Sequence, residues 1–215
     1  MTLTTKTSLG ALAAACLLAA CGSLPDKPQR ATLYDFGAGP LPRTAAAAAA
    51  SPVRLPPMLL SDIEAHARLD SAQILYRLAY SDGNELRPYA SARWSVPPTQ
   101  LLEQRLREAL AQRRVVLGSE DGTNVARVDG KIPNSLRLTL EEFSQYFDSP
   151  TSSVGMVRVR ATLMNTTAAG DRVLGQRTFT AQEPAPSADA RGGVKALVAA
   201  SDTVVAQVRE RADHL

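Results

Sequence analysis

The segment Leu136-Arg137-Leu138-Thr139-Leu140-Glu141 alternates large apolar and polar side chains, and Glu142, Phe143 and Phe147 follow it out of phase. Period-two alternation gives a strand one apolar face and one wetted face. The slip before Phe143 predicts a β-bulge, because one extra residue moves every later side chain to the opposite face. Val157, Val159, Ala161 and Leu163 repeat the alternation against Arg158, Arg160, Thr162 and Met164, the pattern of a half-buried antiparallel strand. Asn165 to Asp171 reads as a turn and Arg172 to Thr180 as the returning strand. Neighbours in sequence are expected to pair as antiparallel hairpins.

An apolar sheet face needs a cover, and the next segment supplies one. After the proline-bearing Glu183 to Ser187, residues Val194, Leu197, Val198, Ser201, Val204, Val205, Val208 and Ala212 recur at i, i+3, i+4, i+7, which is one stripe of a helix. A second helix opens at Val96-Pro97-Pro98-Thr99, since proline in the first turn loses no hydrogen bond. Leu102, Leu106, Ala109 and Leu110 form its stripe, Glu103 and Arg107 stand at i, i+4, and Arg113 and Arg114 close it where the dipole favours cations. Short strands are expected at Thr32 to Phe36, Val53 to Leu60, Ile74 to Tyr80 and Val115 to Leu117, with a helical turn between Ser61 and Ser71. Gly118 to Pro133 reads as a loop with a weak strand at Val125 to Val128. Leu41 to Ser51, with alanine at every position from 45 to 50, reads as a low-complexity loop between Pro42 and Pro52. The order predicts one α+β domain over 32–215: a largely antiparallel, mixed sheet with two main helices on one face.

The 215 residues carry 24 Lys+Arg against 21 Asp+Glu, a formal charge of +3 with no run of five like charges, so nothing marks a nucleic-acid binder. The N-terminus alters this arithmetic. Lys6 precedes an apolar stretch from Leu9 to Ala20, and twelve residues fall short of the roughly 20 that cross a bilayer. The stretch reads as the apolar region of a signal peptide spanning 1–20. It ends in Leu18-Ala19-Ala20-Cys21, then Gly22: a large apolar residue, two small ones and cysteine, the lipobox pattern of bacterial lipoproteins. The Cys21 thiol is expected to take diacylglycerol and, after cleavage, its freed amine an N-acyl chain. Two or three chains make a stable anchor where one is marginal. Gly22, in place of an aspartate, favours sorting to the outer membrane. Cys16 leaves with the signal peptide, so the mature chain has one cysteine, and neither an internal disulfide nor a cysteine metal site is expected. Residues 21–31 form the lipidated N-terminus and a polar, proline-bearing tether reaching at most about 34 Å.

Chemistry-bearing motifs are mostly missing. There is no G-x-x-x-x-G-K-[ST] and no G-x-S-x-G. The two histidines, His66 and His214, fall in a polar connector and one residue from the end, which is poor ground for a nucleophile-base pair. Glu120-Asp121 and Glu141-Glu142 read as solvated charge, and no ladder of oxygen ligands suggests a metal. No catalytic residue, metal or cofactor is expected beyond the acyl groups on Cys21. One constellation stands out between Tyr76 and Pro98: Tyr76, Arg77, Tyr80, Arg87, Tyr89, Arg93 and Trp94, then Pro97 and Pro98. Arginine with aromatics is common at binding hot spots. The same residues equally suit packing beneath the first helix. Both readings, partner docking and core, stand open for Tyr76, Arg77, Tyr89, Arg93, Trp94, Pro97 and Pro98.

Ile74-Leu75-Tyr76-Arg77-Leu78, the run from Tyr89 through Arg93-Trp94-Ser95-Val96-Pro97-Pro98 to Leu102, and Arg105-Leu106 resemble the ABC-type transport auxiliary lipoprotein (PqiC-like) family. Leu33-Tyr34-Asp35-Phe36-Gly37 resembles the family's first strand, and the later strands and last helix are similar in placement. The polyalanine loop departs from the pattern, as does Arg211, where the resemblance implies an aromatic. The resemblance implies a non-enzymatic accessory of an ABC transport system built around a mammalian-cell-entry (MCE) domain protein, moving lipids or other hydrophobic molecules between membranes. It implies anchoring in the inner leaflet of the outer membrane, facing the periplasm, docking on the MCE-domain protein, and assembly into a homo-oligomeric ring. Two other classes fit the same anchor: an envelope regulator or scaffold binding a cell-wall synthase or assembly machine, and a lipoprotein enzyme using carboxylates.

Overall fold

The computed structural model describes residues 30–38, 55–118, 130, 132–167 and 170–214. Cys21, the tether up to residue 29, the polyalanine segment, Glu120-Asp121 and the expected strand at 125–128 lie outside the described residues. The unit Ala31–Leu215 is compact and contains β1 (Thr32–Tyr34), β2 (Met58–Leu60), β3 (Glu64–Ala65), β4 (Gln73–Leu78), α1 (Ala79–Asp82), β5 (Gly83–Trp94), α2 (Pro98–Ala111), β6 (Val116–Leu117), β7 (Asn134–Phe147), β8 (Ser153–Thr167), β9 (Gly170–Pro184) and α3 (Ala190–Asp213).

β7 is the spine of one nine-stranded mixed sheet. Along one edge it pairs antiparallel with β8 from Ser135 to Phe147, and β8 pairs antiparallel with β9. Its other edge is shared end to end by three parallel strands: β2 on Asn134 to Leu136, β3 on Thr139 and Ala65's partner Leu140, and β4 on Gln145 to Phe147. β5 pairs antiparallel with β4, and β1 pairs parallel with β5. The register slips between Leu140 and Glu142, which is the bulge that the phase change predicts. A second shift falls between Leu163 and Met164, opposite β9.

α3 packs across β7, β8 and β9. Asp189 caps it by accepting a hydrogen bond from the Gly192 amide at 2.7 Å, satisfying one of the unpaired first-turn donors. Its predicted stripe is buried apart from Val198, which is half-buried, and it meets Val157, Val159, Ala161 and Leu163 of β8 in one core. Gly155 lets the helix approach: a Cβ there would lie 2.5 Å from both the Ala196 carbonyl carbon and the Leu197 amide nitrogen. α2 begins at Pro98 and buries Leu101, Leu102, Leu106 and Leu110, packing against α3.

Several boundaries differ from the sequence expectation. Of Val53 to Leu60 only Met58–Leu60 is strand among the described residues, and the Ser61–Ser71 connector holds β3 as well as a turn in which the His66 carbonyl accepts from the Leu69 and Asp70 amides. The strand expected to reach Tyr80 ends at Leu78, where α1 begins. β5 is unanticipated: Gly83–Trp94 lacks alternation because it is solvent-facing along most of its length, burying Ala92 and Trp94. α2 ends at Ala111, so Arg113 and Arg114 lie beyond it. The hairpin between β8 and β9 is tighter than Asn165 to Asp171, with strand running to Thr167 and resuming at Gly170.

Candidate functional site

The Tyr76–Pro98 constellation divides into two parts because β5 turns one face to the core and the other to solvent. Trp94 ends β5, is 1% exposed, and stands edge-on to Phe36 at 5.8 Å and to Phe143 at 5.7 Å between ring centroids. Such pairs add roughly 0.5–1.5 kcal/mol beyond area burial. Trp94 Nε1 has no hydrogen-bond partner among the described residues. Pro98 is buried at the start of α2 beside it and Pro97 is half-buried. This half of the cluster is core.

The other half sits where β4, β5 and β7 meet the N-terminus of α3. Tyr76 and Tyr89 have ring centroids 4.6 Å apart, and Tyr76 also stands edge-on to Phe147 at 6.1 Å. The Tyr89 hydroxyl donates to Gln145 Oε1 at 2.8 Å, and Gln145 Nε2 donates to Ser153 Oγ at 2.8 Å. Burial, with the neighbouring Tyr76 and Asp189 charges, holds the Tyr89 phenol above its ordinary range, so it stays a donor. Gln145 is fully buried, and α3 leaves room for it because residue 193 is glycine; a Cβ there would lie 1.9 Å from Gln145 Oε1. Arg77 reaches Glu142 at 3.3 Å and the Gly83 carbonyl at 3.3 Å, tying the bulge of β7 to the β4–β5 connection. Arg93 is exposed and level with Leu33 and Gln73 on the neighbouring strands. Arg87 is ion-paired with Glu85, which lowers the Glu85 carboxyl and raises the guanidinium. Tyr80 is exposed on α1.

The carboxylates read as solvated charge at the bulge are paired. Glu141 holds Arg160 at 3.4 Å, while Glu142 holds Arg77 and accepts from Ser144 Oγ at 2.6 Å. His66 and His214 are both exposed, the first in a turn and the second at the end of α3. Among the described residues no group of three His, Cys, Asp or Glu could hold a metal ion, and no helix is long and apolar enough to cross a membrane. Arg211 is exposed beside a cavity of about 80 Å³ lined by Leu136, Leu163, Phe179 and Val208. That cavity lies where the resemblance implies an aromatic.

Two buried arginines tie distant elements together. Arg105 donates to the Phe36 carbonyl at 2.6 Å, lies 3.5 Å from Asp202 of α3 and stands over the Phe36 ring. Its spacing from Leu101, Leu102 and Leu106 puts it on the apolar stripe of α2, which was a readable signal. Arg114, expected to serve the α2 dipole, instead donates to Asp213 Oδ1 at 2.6 Å and to the Ala212 carbonyl at 3.1 Å, closing the C-terminus of α3. No local pattern marks that contact.

Comparison with known proteins adds to this geometry. The family model described as ABC-type transport auxiliary lipoprotein component matches residues 40–209. Among solved structures, protein XCC0632 from Xanthomonas campestris is 20% identical with a TM-score of 0.63, covering 76% of this chain and 87% of that one. An uncharacterized protein is 13% identical with a TM-score of 0.60, covering 86% of this chain and 99% of its own. At these identities the likeness is one of fold. No curated protein matches the chain.

Proposed function

The chain belongs to the ABC-type transport auxiliary lipoprotein family, and from that premise we propose that it is the lipid-anchored, non-enzymatic accessory of an MCE-type ABC transport system. Cleavage after residue 20 leaves Cys21 carrying diacylglycerol and an N-acyl chain in the inner leaflet of the outer membrane. The domain faces the periplasm and docks the outer-membrane end of an MCE-domain protein that carries lipids or other hydrophobic molecules between membranes. Several copies form a homo-oligomeric ring at that end. The observation carrying this reading is the family match over residues 40–209.

Three physical features support it. The lipobox Leu18-Ala19-Ala20-Cys21 provides the anchor. The folded unit begins at Ala31, about ten residues from Cys21, so the tether keeps the domain within about 34 Å of the bilayer. The described polar clusters are consumed by internal pairing: Arg77 with Glu142, Arg160 with Glu141, and Arg114 with Asp213. Within the candidate cluster Trp94 and Pro98 are committed to the core and Arg77 to Glu142, so Arg93 and the edges of the Tyr76–Tyr89 pair are what it offers a partner.

The test is purification of the full-length lipoprotein from detergent-solubilised membranes under mild conditions. The expected result is a stoichiometric MCE-domain protein in the eluate and sedimentation of the lipoprotein with outer-membrane fractions. Cys21→Ala should release the protein from the membrane pellet. An eluate holding a cell-wall synthase instead, or sedimentation with inner-membrane markers, overturns the assignment.

A further inference from the structure

The face of the sheet beneath α3 has a gap at its β9 margin. From Gly175 to Pro184 the β8–β9 register is unbroken, the irregularity lying before it at Leu174. Side chains on the covered face form rows across β7, β8 and β9: Leu140, Val159 and Phe179, then Leu138, Ala161 and Arg177, then Leu136, Leu163 and Gly175. The last row lacks its third side chain. A Cβ at Gly175 would meet nothing within 4 Å, and the cavity of about 80 Å³ lies there, walled by Leu136, Leu163, Phe179, Val208 and Ala212. Glycine inside a strand often marks the close approach of a ligand or another backbone.

The gap opens sideways. A second cavity, of about 580 Å³, shares Arg177, Phe179 and Arg211 with the first and is lined by Arg177, Thr178, Phe179 and Thr180 in succession, hence by both faces of β9. It therefore runs along the edge of β9, which has no strand partner among the described residues. Unpaired N–H and C=O groups beside an apolar hole suit a peptide, which alone brings backbone donors and acceptors together with a side chain on alternate residues. Charge narrows the choice. Arg177, whose guanidinium lies 5.4 Å from the Phe179 ring centroid, and Arg211 have no carboxylate partner among the described residues, and Glu210 is the one acidic residue among those lining the two cavities. Size narrows it further: a cavity of roughly 150 Å³ accepts benzene, so this smaller one suits a branched aliphatic side chain.

We propose that the Gly175 to Ala181 edge of β9 binds an extended segment of a partner protein as an added strand, with leucine or valine opposite Gly175 and an acidic residue opposite Arg177. Residues two apart on a strand share a face, so the aliphatic side chain enters the gap under α3 while the carboxylate meets Arg177 and Arg211. The ladder supplies affinity, and the aliphatic–acidic pair supplies specificity. The site lies past the bulge, where β9 offers a regular edge. It requires neither the lipid anchor nor the transport assignment proposed above.

The test uses the full-length protein in phospholipid nanodiscs and two fluorescein-labelled peptides, TTLTDTT and its reverse TTDTLTT, one for each strand polarity. At least one is expected to bind with a Kd below about 1 mM by anisotropy and to slow hydrogen exchange of amides between Gly175 and Ala181. Serine in place of the peptide's leucine, or lysine in place of its aspartate, should weaken binding about tenfold, and Arg177→Glu should shift the charge preference toward lysine. Gly175→Leu fills the gap from within and should abolish binding with the melting temperature unchanged or raised; Gly175→Val replaces it if melting falls. Methylating consecutive backbone nitrogens of the peptide should abolish binding too. Failure of both peptides to bind, or binding that survives the filled gap or the methylated backbone, overturns the proposal. So does self-association that Gly175→Leu breaks up, which would put a second copy on this edge. Failure of the transport assignment changes none of these outcomes.

Discussion

Gly155→Ala should destabilise the domain far more than the addition of one methyl group suggests. Gly155 lies in β8 opposite Gln145, beneath α3. A Cβ at that position would sit 2.5 Å from the Ala196 carbonyl carbon, 2.5 Å from the Leu197 amide nitrogen and 2.8 Å from the Ala196 carbonyl oxygen. These are backbone atoms of a helix, so no side chain can swing aside. Ordinary contact begins near 3.4 Å, so α3 must lift by about an ångström where it covers the sheet. Overpacking of this kind costs about 1–3 kcal/mol. Replacing glycine inside a strand returns about 0.5–1 kcal/mol of backbone entropy, which offsets only part of the loss. The expected net loss is about 1–2 kcal/mol, a fall in melting temperature of roughly 2–8 °C for a domain of this size. Gly175→Ala on β9 is the internal control, since a Cβ there meets nothing within 4 Å; it should be neutral or slightly stabilising. Urea unfolding of both variants gives the comparison. If Gly155→Ala matches wild type or Gly175→Ala, the close seating of α3 on β8 is wrong.

Trp94→Ala should cost about 3–5 kcal/mol through the cavity it leaves among Phe36 and Phe143; a melt paired with partner pull-down should show binding lost only in proportion to unfolding, and a stable variant that fails to bind would return Trp94 to the interface. Asp213→Ala strands the Arg114 guanidinium, both side chains being nearly inaccessible, and should cost about 3–5 kcal/mol; Arg114→Met together with Asp213→Ala should recover much of that in denaturant melts. Asp189→Ala removes the α3 cap and should cost about 1 kcal/mol near neutral pH. The Gly192 amide, then the Ser187 hydroxyl, hold the Asp189 carboxyl below its ordinary value of 3.8. A depressed carboxyl stabilises the fold above its unfolded value and loses that contribution as pH falls through the folded one, so the gap between wild type and Asp189→Ala should close below about pH 4 in a melting series.

Much of this architecture was legible because α3 buries one face of β7, β8 and β9. Burial on one side forces the alternation at Leu136 to Leu140 and Val157 to Leu163, and the bulge shows as a slip in that same rhythm. β5 was illegible for the opposite reason: with solvent along most of Gly83 to Ser91, selection for alternation is weak. β3 and β6, two residues each, carry no period at all. The helices were readable, but not their ends, since Arg114 answers to a residue 99 positions away. In the aromatic–arginine cluster, residue types named the neighbourhood without dividing it. Trp94 and Pro98 fall inward and Arg93 outward because β5 alternates there, and that alternation covers too few residues to stand out.

The shared edge of β7 also bears on how the chain folds as it is made, N-terminus first. β2, β3 and β4 all wait for β7, whose partner residues lie about 70 positions further along. Until Asn134 to Phe147 has emerged, the described strands of the first half can close only the β4–β5–β1 ladder and the two-residue β2–β6 pair. Such non-local pairing slows folding and leaves strand edges open. The long β7–β8–β9 hairpins and α3, made from the last third of the chain, must therefore form the surface onto which the earlier strands condense.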